Sequence, residues 1–93
     1  MEVYNHKKHW NEFINGKLAV NCPTEELANE FLAWCDSGEL EWCDGESLLE
    51  TNEFHKCGSV TCYDYENQDF GFCDVSYYES IGFEIVQFQG FTI

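Results

Sequence analysis

The sequence predicts an α+β fold: a small, mainly antiparallel sheet with one main amphipathic helix and a second short helix. Three observations carry this. Residues 25–37 repeat apolar side chains at helical spacing between good cap residues. Short runs richer in Val, Ile, Tyr and Phe at 17–22, 60–66, 70–73 and 83–91 are set apart by Asn, Asp and Gly. A length of 93 residues, 44% of them hydrophobic, suffices for one small core. The chain therefore reads as a single domain, 1–93, and two-domain or large cofactor folds are excluded.

Residues 1–16 are polar with isolated aromatics (Tyr4, Trp10, Phe13) and are expected as a flexible N-terminal segment ending at the Asn15-Gly16 turn. Lys17 to Cys22 follows as a short strand with Leu18 and Val20 on one face. Thr24 is the N-cap of the main helix, and Glu25 and Glu26 occupy its first turn, where the helix dipole favours anions. Leu27, Ala28, Phe31, Leu32, Trp34 and Cys35 fall on one helical arc, expected to face the sheet. Glu25, Glu26, Asn29, Glu30, Asp36 and Ser37 fall on the other, and Gly38 is the expected C′ residue. Glu39 to Trp42 reads as a returning strand, Asp44-Gly45 as a turn and 46–58 as a loop. Val60–Glu66 and Phe70–Cys73 read as strands joined around Asn67-Gln68-Asp69. Ser76 and Glu79 fit a capping box opening the short helix, which Gly82 ends. Phe83 to Phe91 is the last strand, with Val86 and Phe88 covered.

Charge is the most informative feature. Eighteen Asp and Glu stand against four Lys, for a net charge of -14. Four cations cannot neutralise a polyanion, so direct nucleic-acid binding through phosphates is excluded, as is an anionic membrane surface. No apolar run approaches the ~20 residues of a membrane span. Between Lys17 and Lys56 there is no cation, while Glu25, Glu26, Glu30, Asp36, Glu39, Glu41, Asp44, Glu46, Glu50 and Glu53 all lie there. These ten are the candidate partner-binding residues. A charge run is commonly only a solvated face, but ordinary surfaces intersperse both signs. Duplex DNA carries one charge per ~1.7 Å, so fourteen charges match about 24 Å of duplex. Exposed Tyr or Trp would anchor such a contact, with Tyr63, Tyr65, Tyr77 and Tyr78 the tyrosines whose placement the pattern leaves open.

The N-terminal MEVYNHKKHWNEF lacks an apolar signal core, so a cytoplasmic setting with six reduced cysteines is expected. No C-x2-C pair exists; His6, His9, His55, Cys57 and Cys62 are irregularly spaced, and no metal or cofactor is expected. His55 and Cys57 lack a third orienting group, and there is no P-loop, G-x-G-x-x-G or H-E-x-x-H, so no enzymatic activity is expected.

The run LAVNCPTEELANEFLAWC, then TCY, then YYESIGFEIVQF, resembles small orphan proteins encoded by phages and prophages of Gram-positive bacteria. The likeness covers most of the chain after residue 17, mainly at cap, core and turn positions. It implies a mobile-element origin and a place in the cytoplasm of the host bacterium. By analogy of class it implies an anti-CRISPR-like inhibitor that mimics DNA toward a basic nucleic-acid-handling host protein, a CRISPR effector first among them. Two alternatives stand beside it: a counter-defence protein that sequesters a nucleotide signal, and a phage accessory protein with no defence role. The first is disfavoured because Lys7, Lys8, Lys17 and Lys56 are the only cations for a phosphate.

Overall fold

A computed structural model describes residues 1–42 and 44–91; Cys43, expected as a reduced thiol, lies outside the described residues. In chain order the elements are β1 (Glu2–Val3), α1 (His6–Ile14), β2 (Leu18–Asn21), α2 (Glu25–Ser37), α3 (Phe54–Cys57), a 3-10 turn (Gly58–Val60), β3 (Thr61–Glu66), β4 (Asp69–Asp74), α4 (Val75–Ser80) and β5 (Glu84–Gln87). The strands form one sheet in the order β1-β5-β2-β3-β4. The pairs β2–β3 and β3–β4 are antiparallel, whereas β5 runs parallel to both β1 and β2. The fold is therefore α+β with a mixed sheet, in which the antiparallel β3–β4 hairpin has the longest ladder. The last strand is parallel because α4 carries the chain back across the sheet to the open edge of β2.

Register assigns the two faces. Val86, Val20, Tyr63 and Phe72 lie opposite one another on successive strands and share one face. With Phe13 of α1 and Phe31 and Leu32 of α2 they belong to the main core cluster. Ala19, Cys62, Ile85 and Cys73 share the other face, covered by Tyr78 of α4. Both faces are thus covered at β2, whose four residues are all buried. The β3–β4 turn holds Asn67 and Gln68 at φ 54° and 66°, the paired left-handed residues of a two-residue hairpin.

Several expectations are corrected. Residues 1–16 form β1 and α1. The Asn5 side chain caps α1 by accepting the Lys8 N–H, and His9 Nδ1 accepts the Asn5 N–H at 2.8 Å. His9 and Phe13, one turn apart, are buried. The helix was not legible because one of its two inward residues is a histidine. More helices are present than the main and short pair expected. Glu39 to Trp42 is not a strand: only single bridges, Glu41 to Ser47 and Trp42 to Phe70, form there. The last strand ends at Gln87, although Val86 and Phe88 are fully buried as expected.

Cap positions also shift. Thr24 caps α2 as expected, accepting from the Leu27 N–H. At its other end Gly38 has φ -88°, and Glu39 takes the left-handed position at φ 69°. The Glu39 N–H donates to the Asp36 carbonyl and the Leu40 N–H to the Cys35 carbonyl, a Schellman closure with glutamate at C′. Asp74, not Ser76, caps α4, accepting from the Tyr77 N–H. Of the helical arc, Ala28, Phe31, Leu32 and Cys35 are buried and Leu27 is partly covered. Trp34 is 42% exposed, at the edge of the arc, where it packs edge-on to His6 and beside Phe91.

Candidate partner interface

The segment after α2 meets the β3–β4 hairpin at Phe70, to which Trp42 forms a single parallel bridge. It folds back on itself through the Trp42 N–H to Glu46 carbonyl bond (3.0 Å) and the Gly45 N–H to Trp42 carbonyl bond (2.8 Å). Asp44 stabilises this turn by accepting the Glu46 N–H. The turn sets the Trp42 indole edge-on to Phe70 and Phe72, at centroid distances of 5.2 and 6.0 Å. Leu48 is buried in the main core and anchors the segment further along.

Polar bonds tie the segment to α2. Ser47 Oγ donates to Asp36 Oδ1 at 3.1 Å. Asn52 Nδ2 donates to Glu25 Oε2 at 3.0 Å and to Asn29 Oδ1 at 2.8 Å, while its own carbonyl accepts the Tyr63 hydroxyl. Glu30 Oε2 accepts the Phe91 N–H at 2.7 Å. Thus Glu25, Glu30 and Asp36 do structural work that the sequence did not show. Of the ten candidate residues, Asp36 and Glu53 are half-buried and the other eight exposed. Glu26, Glu39 and Glu41 make no side-chain hydrogen bond or ion pair among the described residues.

The remaining four come together. Asp44, Glu46, Glu50 and Glu53 line a cavity of about 480 Å³ whose aromatic walls are Trp42, Phe70 and Phe72. That volume lies in the range of small-ligand sites. Glu53, in the left-handed region at φ 58°, is 2.9 Å from Lys56 Nζ, but the pair is not aligned as a hydrogen bond and Glu53 Oε2 is buried without one. Trp42 is 7% exposed, and its indole Nε1–H has no acceptor among the described residues. An unpaired buried donor of this kind costs about 1–3 kcal/mol. Sequence reasoning named the four carboxylates and missed the aromatic wall, because Phe70 and Phe72 reach it only through the hairpin.

A second cluster lies elsewhere. One ligand-type atom each of Glu2, His9 and Glu84 lies within 4.8 Å of the others. Because His9 Nδ1 accepts the Asn5 N–H, the neutral ring carries its proton on Nε2, the nitrogen 3.5 Å from Glu2 Oε2. A protonated nitrogen offers no lone pair to a metal, and Lys8 Nζ already holds the same Glu2 oxygen at 2.6 Å. The donor set therefore does not fit a cation.

Cys22, Cys35, Cys57, Cys62 and Cys73 are free thiols. Burial pushes the Cys62 thiol up to about 12 and raises Cys22 and Cys35 as well, which makes them poor nucleophiles at neutral pH. Of the tyrosines left open, Tyr63 and Tyr78 are buried on opposite faces, Tyr65 is half-buried and Tyr77 exposed. No helix among the described residues is long and apolar enough to cross a membrane. No family model, no curated protein and no solved structure matches the chain.

Proposed function

We propose that this chain binds a basic, nucleic-acid-handling host protein through its acidic segment, in place of nucleic acid, as an anti-CRISPR-type inhibitor carried by a phage or mobile element. The observation that carries the reading is the segment Glu25–Glu53, with ten carboxylates, eight of them on exposed residues, and no cation between them. No lysine lies within the segment; among the described residues its single ion pair is Glu53 with Lys56, just beyond its end. The molecule spans 32 × 28 × 26 Å, comparable to the roughly 24 Å of duplex that carries fourteen phosphates. A cationic channel is drawn to such a surface quickly at low ionic strength and weakly at high.

The test is an interference assay in cells carrying a DNA-targeting CRISPR system, with plasmid loss as the readout. Expression of the chain should protect the plasmid, and the purified effector should release the chain when duplex DNA is added. Changing Glu26, Glu39 and Glu41 together to Gln removes no structural bond and should reduce protection. Failure to protect against any effector type tried, or equal protection by the triple variant, refutes the reading.

A further inference from the structure

Resting on that reading, we infer that the cavity between the 42–53 segment and the β3–β4 hairpin receives an arginine side chain from a basic segment of the partner. The cavity joins the two features a guanidinium uses. Trp42, Phe70 and Phe72 line it; Phe70 is fully buried and Trp42 nearly so, which leaves the half-buried Phe72 ring as the aromatic surface within a cation's reach. Asp44, Glu46, Glu50 and Glu53 supply carboxylate oxygens round the same space. The chain's own Lys56 rehearses half of this chemistry: its Nζ lies 5.4 Å from the Phe72 ring centroid and 2.9 Å from Glu53 Oε2. The rim carboxylates of Asp44, Glu46 and Glu50 face no cation among the described residues.

Two arguments select arginine within a peptide over other cations. A planar guanidinium stacks on aromatic rings and donates to several carboxylates at once, and it sheds water more easily than an ammonium. A peptide also brings backbone carbonyls, and Trp42, which lines the cavity, carries a buried indole Nε1–H without an acceptor among the described residues. A metal ion or a free polyamine brings no acceptor of this kind. In the free chain that donor is closed to water, and the indole proton, beside the cavity, reports the cavity's occupation.

The probes are acetyl-Gly-Arg-Gly-amide and its lysine and citrulline counterparts, titrated at low salt into the full chain with indole N–H signals followed by NMR. The Trp42 signal is assigned by its loss in Trp42→Phe. The arginine peptide should move that signal and bind at least about threefold tighter than the lysine peptide, and the citrulline peptide should leave it in place. Glu46→Gln with Glu50→Gln should weaken the arginine peptide at least about fivefold, while Glu79→Gln, exposed on α4 and off the cavity, should not. These exposed positions keep the test open if Trp42→Phe fails to fold. An unmoved Trp42 signal, equal binding of the citrulline or lysine peptide, or equal loss in Glu79→Gln would overturn the inference. The peptides contain no defence protein, so this result is independent of the interference assay: peptide binding without plasmid protection refutes the proposed function and leaves the arginine site standing, and the reverse pattern refutes only the site.

Discussion

Truncating Phe31 to alanine tests the centre of the fold. Phe31 is fully buried. Its ring meets Phe13 and Phe88 at 5.3 Å, Tyr4 at 5.8 Å and Tyr63 at 6.4 Å between centroids. It thereby links β1's exit, α1, β3 and the chain after β5. A fully buried Phe→Ala change costs about 3–5 kcal/mol, and four aromatic partners that cannot all collapse into the gap place it near the upper end. A chain of this length has roughly 5–14 kcal/mol in total, so the variant sits near the edge of folding. At about 4 °C or more per kcal/mol, thermal unfolding followed by circular dichroism should show a fall of at least ~15 °C. Trp34→Ala is the control: Trp34 lies on the same predicted arc but is 42% exposed, and should cost about 1–2 kcal/mol. A Phe31→Ala loss below about 5 °C, or one no larger than that of Trp34→Ala, would refute the packing of α2 described here.

Glu39→Gly should raise stability by about 0.5–1 kcal/mol, because glycine adopts the left-handed C′ position without strain. Glu39→Ala keeps the strain while removing the charge, and an equal gain from it in denaturant titration would disprove this reasoning. Asn52→Ala should cost about 1–2 kcal/mol and speed amide exchange in 44–53 but not in β2, since it removes the bonds to Glu25 and Asn29. Unchanged exchange in 44–53 would show that the bonds do not hold the segment. Stability should fall as pH rises through about 9 to 12. Burial raises the folded-state pKa of Cys62 to about 12 and raises Cys22 and Cys35, so the folded chain keeps protons that the unfolded chain has released. Melting temperatures across this range should drop, and Cys62→Ala should shallow the slope; an unchanged slope would remove Cys62 from the account.

Local signals carried far where the physics is local. The Thr24 cap and the helical period placed the start of α2, and alternation with the Asn67-Gln68 turn located β3 and β4. The C′ position was misplaced by one residue because glycine preference is statistical, while the Schellman bonds are made by whichever residue the chain's exit turns left-handed. Likewise the cap of α4 is Asp74, two residues before Ser76, because the last residue of β4 is itself placed to accept the Tyr77 N–H.

The candidate site divides the same way. That residues 25–53 are acidic and uncompensated is a property of the sequence, and their exposure follows from the cost of burying charge. Which carboxylates brace the fold and which gather round Trp42 depends on contacts between distant segments: Asn52 with α2, Phe91 with Glu30, and Phe70 and Phe72 with the 42–46 turn. The parallel placement of β5 between β1 and β2 is decided at the same level. Composition and period report what each residue does with water and with its near neighbours. Pairing partners across the sheet are chosen by the total apolar area that one arrangement of the whole chain can bury, and no local window contains that sum.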